Sequence, residues 1–251
     1  MLAVTTRNVL RHPGLFFPML YARLLVARQL AQTPGLIRYA GGIVGPTEFL
    51  TLTVWEDKGY MQAFASSGAH RRFMWLFARW SESFWSLRWD PTEQERGAWA
   101  GLNLAGASPE GRPLSPLVRL GLIRPDPVPR SPLALEPRGA GVFGTMARHE
   151  GPAALALAVR ARRRLAAEAR NGTLLRWAVG VDLPPQLLVV TIWRDLPGAR
   201  EPALRLLGEE LGLAWAMCWR PGDYEVGHWS SLRLRQLARL GRRTPAATAS
   251  P

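Results

Sequence analysis

Residues 35–57, GLIRYAGGIVGPTEFLTLTVWED, lie without a gap over residues 173–195, TLLRWAVGVDLPPQLLVVTIWRD. Nine of the 23 positions are identical: Leu36/Leu174, Arg38/Arg176, Ala40/Ala178, Gly42/Gly180, Pro46/Pro184, Leu50/Leu188, Thr53/Thr191, Trp55/Trp193 and Asp57/Asp195. Six more exchange one apolar residue for another, as in Tyr39/Trp177 and Val54/Ile192. Self-similarity of this length marks an internal repeat. The chain reads as a tandem duplication, and its function is to be sought where the copies differ.

Outward from that stretch, each copy reads as strand, helix, strand, strand, helix, strand. In the first copy residues 2–7 form a short β-like run, followed by a His-Pro-Gly breaker and a helical pattern over 15–32. Runs 36–44 and 48–55 flank Gly45-Pro46-Thr47, a hairpin signal. Asp57 is placed to cap a short helix over 59–65. A break at Ser66-Ser67-Gly68 separates it from a second helix, from about 69 to 80. The last strand is expected over 83–89. The second copy repeats the order with strand 141–148, helix 153–170, hairpin 174–181 and 186–193, helix 201–216 and strand 224–232. This is the ferredoxin-like βαββαβ unit. The domains are expected at 1–90 and 140–235, joined by a Pro-rich connector over 91–139 with a helical turn at 117–122. A basic, disordered tail is expected over 236–251.

The pleat adds an architecture. Leu50, Leu52 and Val54 share one face of their strand and Phe49, Thr51, Thr53 and Trp55 the other; in the second copy both faces are again largely apolar. An antiparallel sheet with one wet face alternates apolar with polar. These strands need cover on both sides, and the helices supply one. The other copy's sheet supplies the second, giving an α+β fold of two tandem units packed sheet to sheet.

Composition bounds the function classes. With 47% hydrophobic residues and eleven Trp, the chain can bury sizeable cores and is not a disordered protein. Its net charge of +13 invites a nucleic-acid reading. The charge is almost all Arg, however, with Lys58 the lone lysine, and it is spread along the chain as on a solvated surface. A single Cys218 excludes an intramolecular disulfide and fits a reducing, cytoplasmic compartment. Residues 15–30 are apolar but broken by Arg23 and Arg28, too short to span a bilayer, though able to lie on a membrane surface. No HExxH, CxxC, Walker or GxGxxG pattern is present, so zinc-hydrolase, dithiol, P-loop and Rossmann readings lack support.

The expected architecture, with TVWEDKGYMQAFASSGAHRRFM inside it, resembles the dimeric α+β barrel superfamily of antibiotic-biosynthesis-type and haem-degrading monooxygenases. The residues carrying the likeness are Trp55, Glu56, Phe64 and His70. The two-copy arrangement and residues 96–101, RGAWAG, also look like the spheroidene monooxygenase group. The resemblance implies an intramolecular dimeric α+β barrel, a monooxygenase-like activity on an apolar aromatic, polyene or porphyrin ligand, and a haem cofactor or none.

His70 is the leading chemical candidate. At helical spacing it shares the apolar face of its helix with Phe73, Phe77 and Trp80. There it could ligate haem iron, move a proton on a bound phenol or quinol, or satisfy a buried hydrogen bond. The second copy has no His at the matching place. Trp55, Phe64, Phe73, Phe77, Trp80 and Trp85 could line a flat pocket, although Trp55 recurs as Trp193, which favours a structural role. Arg38 could anchor a carboxylate or propionate, but it recurs as Arg176 in the same way. Asn8 occupies roughly the place of a functional Asn in haem-degrading relatives, as the resemblance implies. His228 beside Trp229 is a further site with chemical potential; His12 and His149 read as loop residues, and Cys218 as a buried apolar one. The competing readings are a non-catalytic binding or structural member of the same superfamily, and a basic module on anionic membranes. Further self-association of the chain is left open.

Overall fold

The computed structural model describes residues 1–105 and 141–229. Its elements follow the expected order: β1 (Leu2–Leu10), α1 (Phe16–Gln32), β2 (Leu36–Gly45), β3 (Glu48–Trp55), α2 (Lys58–Ala65), α3 (Gly68–Trp80) and β4 (Ser81–Gly97) in the first half. The second half has β5 (Val142–Glu150), α4 (Ala154–Ala169), β6 (Leu174–Asp182), β7 (Gln186–Arg194), α5 (Arg200–Arg205) and β8 (Trp215–Gly227). The eight strands close into one antiparallel barrel in the order β1-β3-β2-β6-β7-β5-β8-β4. Each half therefore contributes a βαββαβ sheet, β4-β1-β3-β2 or β8-β5-β7-β6, with its helices on the outside.

The barrel interior is the shared cover that the pleat required. Leu50, Leu52 and Val54 face it, and so do their counterparts Leu188, Val190 and Ile192, together with Trp85, Trp89, Trp215 and Trp219. All ten side chains are fully buried. Burying a large side chain of this kind contributes about 1.5–3 kcal/mol, and this layer draws its side chains from both halves. The halves also exchange tryptophans. Trp99, after β4, packs on Trp215 at 4.8 Å, and Trp229, after β8, packs on Trp85 at 5.0 Å.

Two unequal seams close the ring. β4 and β8 pair along most of their length, whereas β2 meets β6 through Ile43↔Val181. At the short seam the identical pair Gly42 and Gly180 lies backbone to backbone; a Cβ on Gly42 would stand 2.7 Å from Gly180 Cα. Glycine is required there for close approach.

Some boundaries differ from the sequence reading. β4 runs on to Gly97 instead of ending at residue 89, because Asp90, Pro91, Glu95, Arg96 and Gly97 pair with β8 across a bulge. In the second half the helix expected over 201–216 stops early: α5 passes into a π-turn over Leu206–Glu210, and Gly212 turns the chain at φ 71°. β8 then starts at Trp215, not 224. The run Trp215-Ala-Met-Cys-Trp219 is apolar on both faces, and periodicity cannot tell such a strand from a buried helix. His149, expected in a loop, lies on β5 opposite Leu187. The helical turn at 117–122, most of the connector and the tail over 236–251 lie outside the described residues. No helix among the described residues is long and apolar enough to cross a membrane.

Candidate functional site

The side of each sheet that faces its helices is where the halves part. Register pairs Ser86 with Thr6, Thr6 with Thr51, and Thr51 with Gly41, so these four form one row across the first sheet. The row at the same place in the second sheet is Ala216, Ala147, Val189 and Val179. Neighbours in such a row touch across strands and act as one surface. In the second half the row is wholly apolar and 0% exposed. In the first half it carries three hydroxyls, and Thr6 and Thr51 remain partly exposed in mid-sheet, beneath the helices. Thr6 and Ser86 share a hydrogen bond of 3.2 Å.

This row divides the layer between sheet and helices. On one side of it stands an apolar cluster of Leu2, Leu30, Trp55 and Phe64; on the other, one of Leu10, Met19 and Phe49 with Phe77 and Trp80 against it. The matching layer of the second half is one continuous cluster, including Phe143, Leu165, Val189 and Leu207. The first half thus keeps a partly exposed row of hydroxyls between two apolar clusters.

The helices above it are set by short-range chemistry. Asp57 caps α2, accepting from Gly59 N at 2.7 Å and Tyr60 N at 3.1 Å. Its counterpart Asp195 pairs instead with Arg200 at 2.7 Å. Gln29 of α1 pins the α2–α3 break, accepting from His70 N at 2.8 Å and donating to Ser67 O at 3.1 Å. The break brings His70 back over α2, where its ring lies 4.6 Å from Phe64, which in turn lies 5.3 Å from Trp55. His70 Nδ1 is 3.0 Å from Ala65 O. A carbonyl can only accept, so Nδ1 carries the proton and Nε2 presents its lone pair. Burial pushes the ring below the usual histidine value, and the bond to Ala65 offsets this in part. His70 is therefore neutral near pH 7, with Nε2 as a proton acceptor or donor atom to a metal.

The other expected residues fall into two groups. Trp55, Phe64, His70, Asn8, Phe73, Phe77 and Trp80 belong to this helix-side layer. Asn8 Oδ1 accepts from Ser81 Oγ at 2.6 Å, and Phe73 and Phe77 stack at 6.1 Å. Trp55 Nε1 donates to Thr53 Oγ1 at 2.8 Å, a pair repeated as Trp193 and Thr191 at 2.7 Å. Trp85 and Arg38 do not join them. Strand alternation sends Phe84 and Ser86 to the helices and Trp85 into the barrel, where Nε1 bonds Glu225 at 3.0 Å. Arg38 follows an irregularity in β2 that turns it to the barrel side, and it donates to Trp99 O at 3.2 Å and Ile37 O at 2.8 Å. Arg176 does the same to Trp229 O at 3.3 Å. These repeated arginines secure the exchanged tryptophans. His228 is exposed just past β8. Cys218 is fully buried, and burial pushes its thiol up to about 12, which makes it inert as a nucleophile.

For a haem the set is incomplete. His70 could supply an axial nitrogen, but Arg38, expected at a propionate, bonds backbone carbonyls elsewhere, and Trp85 fills the barrel. The residues present do not assemble a haem site. Among the described residues no group of three or more His, Cys, Asp or Glu could hold a metal ion.

No protein-family model and no curated protein matches the chain. Solved structures do. An antibiotic biosynthesis monooxygenase is 16% identical and is covered over 99% of its own length by 37% of this chain, with a TM-score of 0.35. A cofactor-independent oxygenase from Streptomyces nogalater is 17% identical over 35% of this chain and 86% of its own, with a TM-score of 0.27. An anthrone oxidase-like protein is 10% identical over 90% of this chain and 92% of its own, with a TM-score of 0.33. The likeness is one of fold. Identities this low leave no residue role to transfer.

Proposed function

We propose that the helix–sheet layer of the first half binds a flat, apolar, oxygen-bearing molecule and that His70 Nε2 accepts a proton from it, as in a monooxygenase-type enzyme working without a prosthetic group. The observation that carries this reading is the row Ser86–Thr6–Thr51–Gly41, polar and partly open where the second half is filled. Hydroxyls at positions where apolar side chains could be buried give up that burial, and a packed alternative for this position exists in the same chain. Hydroxyls between aromatic walls suit a ring system with phenol, quinol or ketone oxygens. Removing a proton from such a ring leaves an electron-rich anion that dioxygen can oxidise. For anthrone as probe the balance is closed by one dioxygen: the central methylene becomes a carbonyl and one water is released.

The test is oxygen consumption and anthraquinone formation with anthrone, for the wild type and His70→Gln. A rate above buffer that falls at least tenfold in the variant supports the reading. Equal rates in both remove His70 from the chemistry. Saturable binding without turnover, unchanged in the variant, would favour the non-catalytic member.

A second observation bears on where such a ligand is met. Phe17, Tyr21 and Leu24, at helical spacing on the outer face of α1, are 76%, 62% and 58% exposed. Neither α1 nor α3 carries a carboxylate, while Arg28, Arg71, Arg72 and Arg79 are exposed on them. A cationic layer with protruding apolar side chains fits the surface of an anionic membrane. Co-sedimentation with phosphatidylglycerol vesicles at low salt, lost in Phe17→Glu/Leu24→Glu, is the expected result. No co-sedimentation, or self-association through the same residues in sedimentation velocity, would replace the membrane with a second copy or with nothing.

A further inference from the structure

The fourth position of the polar row is a glycine, and an arginine from the helix above lies over it. A Cβ on Gly41 would collide with the Arg23 guanidinium. Arg23 projects from α1 and pairs through Nη2 with Asp182 of the other half, with the Tyr39 hydroxyl close by on the same side of Gly41. Burial lowers its proton affinity, but Tyr39 and Asp182 more than restore it, so the group stays charged. Its Nη1 is buried and has no hydrogen-bond partner among the described residues.

The second half again supplies the comparison. There the arginine reaching across from the helix is Arg162 of α4, which bonds Val44 O at 2.5 Å and Val179 O at 2.9 Å. Val44 aligns with Asp182, and Val179 with Gly41, in the repeated stretch. Val179 fills the floor, and Arg162 stays exposed above it, bonded to backbone. In the first half Gly41 has no side chain, and the guanidinium lies against it, on the residue paired with Thr51. Leaving a buried donor unpaired costs about 1–3 kcal/mol, more when it is charged. The second half shows that a satisfied arrangement was available.

We infer that Arg23 is the anion-recognising group of this site: Nη1 receives an acidic oxygen, a carboxylate or an ionised phenol, on the edge of the flat ligand. Gly41 makes the room and Asp182 fixes the guanidinium plane. The proposal rests on the ligand-binding reading above and adds its substrate class, an aromatic acid. A planar guanidinium with one N–H held by a carboxylate keeps the others oriented, the geometry in which Arg recognises anionic oxygen with directional bonds.

The experiment is calorimetric titration of the full chain with 2-naphthoate and with 2-naphthamide, which share shape and differ in charge. The wild type is expected to bind the acid at least tenfold more tightly. Arg23→Gln should bring the acid down to the affinity of the amide, and Arg162→Gln should change neither. Gly41→Ala, which displaces the guanidinium and leaves the charge in place, is the second route if Arg23→Gln does not fold; it too should remove the preference. A preference that survives in Arg23→Gln and Gly41→Ala, or equal binding of acid and amide by the wild type, overturns the role of Arg23 and leaves the pocket standing. Binding of neither probe overturns the pocket as well.

Discussion

The two halves share topology, hairpin and interior layer, and differ in how they fill the space beneath their helices. The second half packs one uninterrupted apolar cluster there; the first interrupts its cluster with a row of hydroxyls and a glycine. Since the same framework builds both, the interruption is not demanded by the fold. Marginal stability makes such a departure informative, because departures from uniform packing are expected at functional or strained sites.

The halves should differ most in stability. Leu207→Ala in the second half should cost about 2–5 kcal/mol in chemical denaturation, the range for deleting a buried leucine, whereas Thr51→Val in the first should change it by under about 1 kcal/mol. If Thr51→Val proved no less damaging than Leu207→Ala, the first layer would serve packing to the same degree as the second. Next in size is the short seam. Gly42→Ala puts a methyl group against the Gly180 backbone and should destabilise by about 1–3 kcal/mol, as overpacking does; an unchanged denaturation midpoint would show that β2 and β6 can part there without penalty.

A smaller effect separates the halves by pH. Folding holds His70 below its usual value of 6.5, so below pH 6.5 the unfolded chain binds the proton more readily than the folded one. Stability from this residue is complete above pH 6.5 and is lost as pH falls. Wild type should weaken more than His70→Gln between pH 7 and 5, and turnover should show an acid limb below pH 6.5 that the variant lacks. The least effect is expected from haemin: with Arg38 and Trp85 directed elsewhere, no histidine-ligated Soret band should appear. A band abolished by His70→Ala would restore the haem reading.

Much of this molecule is legible in its sequence. The repeat, the hairpins and α1 follow from local pattern, and apolar character on both faces of β3 and β7 calls for a barrel. The hidden part is long-range. Whether Trp85 and Arg38 face helix or barrel depends on register and on one irregularity in β2, which periodicity does not report. Arg23 reads as a break in an apolar run, because its partners Asp182 and Tyr39 lie 159 and 16 residues away. Yet the exchanges Thr51/Val189 and Gly41/Val179 stand in the aligned stretch itself. Polar-for-apolar differences between the copies, rather than shared residues, mark the floor of the proposed site.

The exchange of Trp99 and Trp229 between halves has a bearing on dilution. Two separate chains that finish each other's interior in this way would fall apart as their concentration dropped, and each would need the same sequence to serve both places. Joined in one polypeptide, the partners stay at a high effective concentration whatever the amount of protein present. The joined halves need not be alike, so one can serve as a permanent buttress while the other gives up packing to receive a ligand.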